Sequence, residues 1–324
     1  MGRGGWYGAV GRPAFFALPP EASHRLATAL LSLPLPWGRI GGAVRDPSIE
    51  VDLCGIGLSN PIGLAAGFDK TCRHLGALGR LGFGFVVGGT ITRAPRVGNP
   101  KPRIVRSPRR GAIVNSMGLP NPGADVAAAH LARIRRTAPR FASVADEDVD
   151  AASETVEILA PHVEGFELNT SSPNAPWRHD GAHMGTLLAA FRGRTDLPVL
   201  LKLPPFTDDQ ERHAVLDLAR AAVDAGARGL VCSNTIPVQD PRLAAGRGGL
   251  SGAPLRELTP RIVSDVAAAT GRSVPIVASG GISTNEDVRA CLDAGATAVQ
   301  LYTGLIYRGP GIVGELTRGL SAPS

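Results

Sequence analysis

Glu167-Leu168-Asn169-Thr170-Ser171-Ser172-Pro173-Asn174 is the stretch on which the reading of this chain turns. A short apolar run reads as a buried strand, and the proline stops it. At its end two carboxamides, Asn169 and Asn174, flank a hydroxyl, Ser172. An α/β barrel keeps its chemistry at the C-terminal ends of its strands. Asn carries a donor and an acceptor on one rigid amide, so this pair suits a small planar imide or amide. Asn, Ser and Pro also make ordinary turns, and the rest of the chain must decide between the two.

From Val51 onward strand-like runs alternate with amphipathic segments. Strands are predicted over 61–67, 83–89, 141–145, 165–169, 198–203, 229–232, 274–279 and 298–302. Helices are predicted over 121–136, 150–160, 208–225, 254–270 and 285–294. Eight strands each followed by a helix give an α/β fold, a (β/α)8 TIM barrel. A doubly wound sheet is the alternative, but no GxGxxG follows the first strand. A hairpin of 49–53 and 56–58 around Gly55 is expected to close the barrel floor. Residues 92–122 are too many for a plain connection and read as a long loop serving a site. They carry Arg93, Arg96, Lys101, Arg103, Arg106, Arg109 and Arg110, then Asn115-Ser116-Met117-Gly118.

With 324 residues, 44% of them hydrophobic, the chain can bury one large core. Its 41 glycines and 27 prolines fall at element ends, which suits many short connections better than disorder. A formal charge of +6 permits a nucleic-acid or anionic-membrane partner without requiring one, and no nucleic acid is expected. Cys54, Cys72, Cys232 and Cys291 form no CxxC pair, so free thiols in a reducing compartment are expected, and no metal site. No run of 18 apolar residues spans a bilayer, and the prolines at 13, 19 and 20 interrupt any signal peptide.

Residues 1–47 differ in character and are read as an N-terminal amphipathic helical extension; 48–324 form the barrel. Trp6, Tyr7, Phe15, Phe16 and Trp37 cluster there, and a helix over 21–33 aligns Ala22, Leu26, Leu30 and Leu33. Arg3, Arg12, Arg25, Arg39 and Arg45 outnumber Glu21 and Asp46. Such a segment either lies in a membrane interface or packs on the barrel.

Other strand ends carry related chemistry. Ala65-Ala66-Gly67-Phe68-Asp69-Lys70 ends the first strand with small residues that let a flat ring approach, followed by a cation. Lys202 ends the fifth, an awkward position for a lysine unless an anion waits for it. Ser279-Gly280-Gly281-Ile282 and Tyr302-Thr303-Gly304 expose backbone N–H groups near helix starts, and Gly249-Leu250-Ser251-Gly252 reads as a third glycine-rich turn. Together they argue for a phosphorylated cofactor.

These motifs, with Gly98-Asn99-Pro100-Lys101-Pro102-Arg103, Asn115 to Gly118, Asn234-Thr235 and Gln300 to Pro310, resemble dihydroorotate dehydrogenase over about residues 13–320. Ser172 stands where membrane-associated, quinone-using class 2 enzymes carry Ser and cytosolic class 1 enzymes carry Cys. Leu18 to Ala22 followed by His24 is similar to the class 2 extension, with Pro19 in place of the usual Asp. The resemblance implies an FMN-dependent oxidation of dihydroorotate to orotate in pyrimidine synthesis, with electrons passed to a membrane quinone. It implies FMN contacts at Ala66, Gly67, Lys70, Thr90, Ser143, Asn169, Lys202, Ser233, Gly252, Gly281, Tyr302 and Thr303. It places the pyrimidine against Lys70, Asn115, Ser116, Met117, Gly118, Leu119, Asn169, Asn174, Asn234 and Thr235, with Ser172 as the base. It also implies peripheral attachment at the cytoplasmic face of the cell membrane; a cytoplasmic protein is the alternative.

The chain departs from that pattern beside the serine. Ala175 and Leu119 replace Thr and Phe, Trp177-Arg178-His179-Asp180 replaces Gly-Leu-Arg, Ile236 replaces a common Thr, and Ser143 is the nearest equivalent of an Asn that contacts FMN. His179 or His183 could compensate, or lie idle on the surface. Three other readings are weighed: an FMN barrel acting on another dihydropyrimidine, a dihydrouridine synthase, and a non-catalytic membrane-surface protein. The dihydrouridine synthase would need a catalytic Cys and an RNA-binding domain, neither of which is visible.

Overall fold

Eight short strands close into a parallel barrel in simple chain order: β1 (Ile62–Leu64), β2 (Phe85–Ile91), β3 (Arg140–Val144), β4 (Gly165–Asn169), β5 (Val199–Lys202), β6 (Gly229–Cys232), β7 (Ile276–Ser279) and β8 (Ala298–Leu301). This computed structural model describes residues 6–146, 148–169 and 181–322. All eight predicted strands are present. Each starts or ends within a few residues of its predicted limits, and 229–232 matches at both ends.

Strand alternation sorts the side chains. In β4, Phe166 and Leu168 turn outward into the shell between barrel and helices, while Glu167 turns inward, where it meets groups from β5 and β8. The lower barrel is filled by Phe85, Val87, Phe141, Leu200, Val231, Val277 and Ala298. Phe85 and Phe141 meet edge to face with centroids 5.7 Å apart. Gly63 makes room for this layer, since a Cβ there would overlap the Phe85 ring. The hairpin of Val51–Leu53 and Ile56–Leu58 pairs antiparallel and sends Leu53 and Leu58 into the same cluster, so it plugs the floor as expected.

The five predicted helices form, four with shorter limits, Ala124–Arg133, Asp209–Asp224, Leu258–Ala269 and Asn285–Asp293, and one shifted by a residue, Val149–Leu159. Side chains set several starts: Asp148 and Asp208 accept N–H groups of the first turn, and Thr284 with Asp287 makes a reciprocal capping box. Helix Thr303–Arg308 begins where a helix start was expected, and helices Leu75–Arg80, Gly181–Arg192 and Ile312–Ser321 add to the predicted set.

Two readings are corrected. The stretch 92–122, read as one long loop serving a site, contains two strands, Ile104–Ser107 and Ala112–Asn115. Gly249 to Gly252 is not a turn; it belongs to the strand Arg247–Gly252. With Ile236–Gln239 these make a four-stranded antiparallel sheet beside the barrel mouth. Two segments far apart in sequence complete it, so neither announces itself by local pattern alone.

Before the barrel come a π-helical turn (Tyr7–Gly11), α1 (Arg12–Ala17), α2 (Pro20–Leu31) and α3 (Trp37–Gly41). The predicted helix over 21–33 is thus α2, beginning at the proline suited to a first turn. Leu31 and Trp37 join the core, whereas Trp6, Val10, Leu18, Leu26, Leu33 and Leu35 are exposed.

Candidate active site at the barrel mouth

The upper barrel is polar where the lower barrel is apolar. Lys202 at the end of β5 donates to Glu167 Oε1 at 3.1 Å, and Gln300 Nε2 of β8 donates to Glu167 Oε2 at 3.0 Å. All three side chains are buried. Lys202 therefore meets a carboxylate supplied by the protein itself, a partner that the sequence reading missed. Two buried charges are tolerable only as a well-bonded pair. Gln300 Oε1 is buried and accepts no hydrogen bond from the described residues.

Above this layer a chain of polar groups runs around the rim. Ser143 Oγ lies 3.0 Å from Thr90 Oγ1, which accepts from Asn169 Nδ2 at 3.0 Å; Asn234 Nδ2 approaches Asn169 Oδ1 at 3.5 Å, and Thr235 N donates to Asn234 Oδ1 at 2.8 Å. Ends of β2, β3, β4 and β6 are thereby tied together. From the mouth sheet, Asn115 Nδ2 reaches Gly249 O at 3.5 Å.

These groups border one cavity of about 1700 Å³, well above the roughly 300–1,000 Å³ of an ordinary small-molecule site. Its wall includes Ala66, Gly67, Lys70, Thr90, Asn169, Lys202, Ser233, Gly252, Gly281, Tyr302 and Thr303. It also includes Asn115, Ser116, Met117, Gly118, Leu119, Asn234 and Thr235. Ser143 lies behind the wall, fully buried against Thr90. Ser172, Asn174, Ala175 and the segment 177–180 lie outside the described residues.

Lys70 follows the end of β1 and donates to Gly67 O. Desolvation pulls its pKa down to about 8, with Asp69 opposing and Arg103 assisting. A lysine so easily discharged gains from an anionic ligand. Gly252 and Gly281 have positive φ, +94° and +73°, and a Cβ on either would overlap backbone of Gly111 or Arg256. Between them, Thr303 Oγ1 donates to Ser251 Oγ at 2.9 Å. Burial pushes the Tyr302 hydroxyl up to about 12, so it stays protonated.

The helical extension forms the outer wall. Phe15, Phe16, His24, Leu30, Leu31 and Trp37 border the cavity. Leu26, aligned with Leu30 on the predicted helix, is exposed instead. His24 sits edge-on to Phe68, 5.3 Å between centroids, and Phe68 to Tyr302 at 6.0 Å. Burial first, then the charges of Lys70 and His74, lower His24 to about 4, so it is neutral at physiological pH. Burial raises the Glu21 pKa, but hydrogen bonds from Arg103 and Lys101 outweigh it and hold the carboxyl below its usual range. The basic cluster between 93 and 110 is thus largely engaged: Arg93 with Asp125 and Glu154, Arg96 with Asp146, Lys101 and Arg103 with Glu21.

The family profile described as dihydroorotate dehydrogenase matches residues 48–323. The chain belongs to the dihydroorotate dehydrogenase family. It is 40% identical over 96% of its length to dihydroorotate dehydrogenase (quinone) of Erythrobacter litoralis, covering 93% of that protein. It is 39% identical over 94% of its length to the protein of the same name from Leifsonia xyli, covering 95% of it. A crystal structure of dihydroorotate dehydrogenase from Eimeria tenella in complex with ferulenol superposes with a TM-score of 0.80 at 31% identity, covering 93% of this chain and 90% of that one. The chain is therefore an oxidoreductase of the quinone-type branch of dihydroorotate dehydrogenases.

Proposed function

We propose that the protein oxidises (S)-dihydroorotate to orotate with FMN bound at the barrel mouth, and passes the electrons to a membrane quinone. The observation that carries this reading is the cavity in which amide-bearing strand ends, the half-buried Lys70 and the glycines Gly252 and Gly281 meet beneath an apolar helical wall.

The residues fit a flavin nucleotide. Small Ala66 and Gly67 leave room for a flat ring near Lys70, Thr90, Asn169 and Lys202; Gln300 Oε1 is an unmatched acceptor suited to an imide N–H. Gly252, Gly281, Ser233, Tyr302 and Thr303 would hold the ribityl phosphate end, where neighbouring backbone N–H groups favour an anion. Ser143 would act indirectly, by fixing Thr90. When bound, the flavin supplies the acceptor for the hydride that leaves C6 of the substrate.

The chain's own groups then orient and deprotonate. Asn115, Asn169, Asn174 and Asn234, with Thr235, are the types needed to read the alternating C=O and N–H edge of a pyrimidine and its carboxylate. Lys70 supplies positive charge beside the pyrimidine's carboxylate and where negative charge develops as the C5 proton leaves. Ser116, Met117, Gly118 and Leu119 would shield the face away from the flavin. Ser172 would take the C5 proton; a serine hydroxyl is a poor base at neutral pH and must relay that proton to water or neighbours. Ala175 and Leu119 leave this relay without the hydroxyl and ring that usually stand there, so proton removal is expected to limit the rate.

Residues 1–47 would serve as the quinone side. Phe15, Phe16, Leu30 and Trp37 line the cavity's outer end, and exposed Trp6, Val10, Leu18, Leu26, Leu33 and Leu35 with Arg12, Arg25 and Arg39 suit a peripheral membrane contact. Among the described residues no helix is long and apolar enough to cross a membrane. Smaller Ala175 and Leu119 also favour a second reading, another dihydropyrimidine as substrate. Anaerobic mixing of the yellow protein with dihydroorotate, dihydrouracil or dihydrothymine separates the two: bleaching by dihydroorotate alone supports the first, and bleaching by an uncharged analogue alone overturns it.

A further inference from the structure

We propose that Glu167 is a positioning residue for the flavin: it anchors the Lys202 ammonium at the cavity floor and offsets its charge, limiting how strongly the site favours the reduced, negatively charged cofactor. The inference rests on the reading that FMN binds at the barrel mouth.

Glu167 shares the inward face of β4 with Asn169 but sits one layer deeper. In the register between β4 and β5, Lys202 stands opposite Asn169 and Glu167 opposite Leu200. The 3.1 Å bond from Lys202 Nζ to Glu167 Oε1 therefore joins two layers. On the far wall of the barrel, β8 sends Gln300 Nε2 to the other carboxylate oxygen at 3.0 Å. Lys202 and Gln300 border the cavity, whereas Glu167 is 1% exposed and has the apolar layer of Phe85, Phe141 and Leu200 beneath it.

Packing alone does not call for a carboxylate here. Apolar side chains of similar volume often replace a buried ion pair with equal or greater stability. What the carboxylate changes is the field at the cavity floor. In a poor solvent an uncompensated ammonium draws negative charge at close to full strength; bonded to Glu167 it presents only the positive end of a dipole, whose field falls faster with distance. The reduced cofactor is then held less tightly relative to the oxidised one, and gives up its electrons more readily. A carboxylate also only accepts hydrogen bonds, so Gln300 has to turn its NH2 group toward Glu167. That leaves Gln300 Oε1, which accepts nothing from the described residues, as the acceptor for an imide N–H.

The test uses the full-length, FMN-loaded protein and reads the midpoint potential of the bound flavin by equilibration with a reference dye. Glu167→Gln should raise that potential by about 30 mV, which is about a tenfold stronger preference for the two-electron-reduced form. Glu167→Asp keeps the charge, so the preference should stay within about twofold of the parent's, although the shorter side chain loses packing and the protein melts earlier. The double variant Glu167→Gln/Lys202→Met leaves no buried charge to unbalance the fold. Its preference should lie within about threefold of the parent's, because the pair it replaces is nearly neutral toward the cavity. An unchanged or lowered potential in Glu167→Gln overturns the proposal, as does an equal rise in Glu167→Asp. A fall beyond about threefold in the double variant also overturns it, whether or not Glu167→Gln folds, since Lys202 would then act at full charge. A parent protein that takes up no FMN overturns the flavin reading itself and this proposal with it; one that holds FMN without these shifts overturns only the role of Glu167.

Discussion

Substituting Glu167→Gln removes one charge from the centre of the barrel while keeping side-chain size. Glu167 and Lys202 are 1% and 7% exposed, and the pair is closed by a 3.1 Å hydrogen bond. Breaking a buried pair by neutralising one partner costs about 3–5 kcal/mol, because the remaining charge is left in a poor solvent. The amide can still accept from Gln300, which favours the lower end. Unfolding entropy of about 2.1 cal/mol/K per residue gives roughly 0.7 kcal/mol/K for a chain of this length, so the melting temperature should fall by about 4–7 °C. The assay is thermal unfolding followed by near-ultraviolet circular dichroism, at saturating FMN for every variant so that flavin loss does not masquerade as instability. Adding Lys202→Met should return at least about half of the loss, since neighbours in one pair do not behave additively. A fall below about 1 °C for Glu167→Gln, or simple addition of the two single effects, would refute the assignment of Glu167 as the charge partner.

Three further outcomes follow from the same geometry. Lys70 carries its charge below about pH 8 and loses it above, so orotate affinity of the protein should weaken as pH rises through 8, by up to about tenfold per unit, and Lys70→Met should flatten that dependence; equal slopes in both proteins exclude Lys70 as the anion's partner. Gly252→Ala places a Cβ onto the Gly111 carbonyl at a φ of +94°, a strain of about 1–2 kcal/mol before any clash, and should yield a colourless protein that recovers little flavin on addition of FMN. Removing residues 1–35, which keeps Trp37 but takes Leu31 from the core, should abolish quinone reduction while dihydroorotate still bleaches the flavin; parallel loss of both activities counts against a separate acceptor side.

Much of the barrel was legible because its strands are short apolar runs separated by amphipathic helices, and each period survives in the sequence. The mouth sheet was not, since Arg247–Gly252 is rich in glycine and one of its two partner strands, Ala112–Asn115, lies more than a hundred residues away. Its glycines read as a turn until the partner strand supplied the hydrogen bonds. Lys202 was recognised as out of place, but its partner was overlooked although Glu167 shares the inward face of β4 with Asn169. Period-two alternation within the opening stretch carried that signal. The start of helix Thr303–Arg308 was legible in Tyr302-Thr303-Gly304, but its six residues are too few for an apolar period to mark its extent. Arg106 was grouped with a basic loop; most of its hydrogen-bond partners are main-chain carbonyls, which leave no mark on a sequence.

The central claim is that two flat rings stack at the barrel mouth, and the measurement that reaches it most directly is a crystal structure of the protein grown with FMN and orotate. The account predicts an isoalloxazine lying over Ala66 and Gly67 and a pyrimidine parallel to it, held by Lys70, Asn115, Asn169 and Asn234, with Ser172 on the pyrimidine's far face. Orotate bound elsewhere, or a flavin whose exposed face is covered by protein side chains, would contradict it.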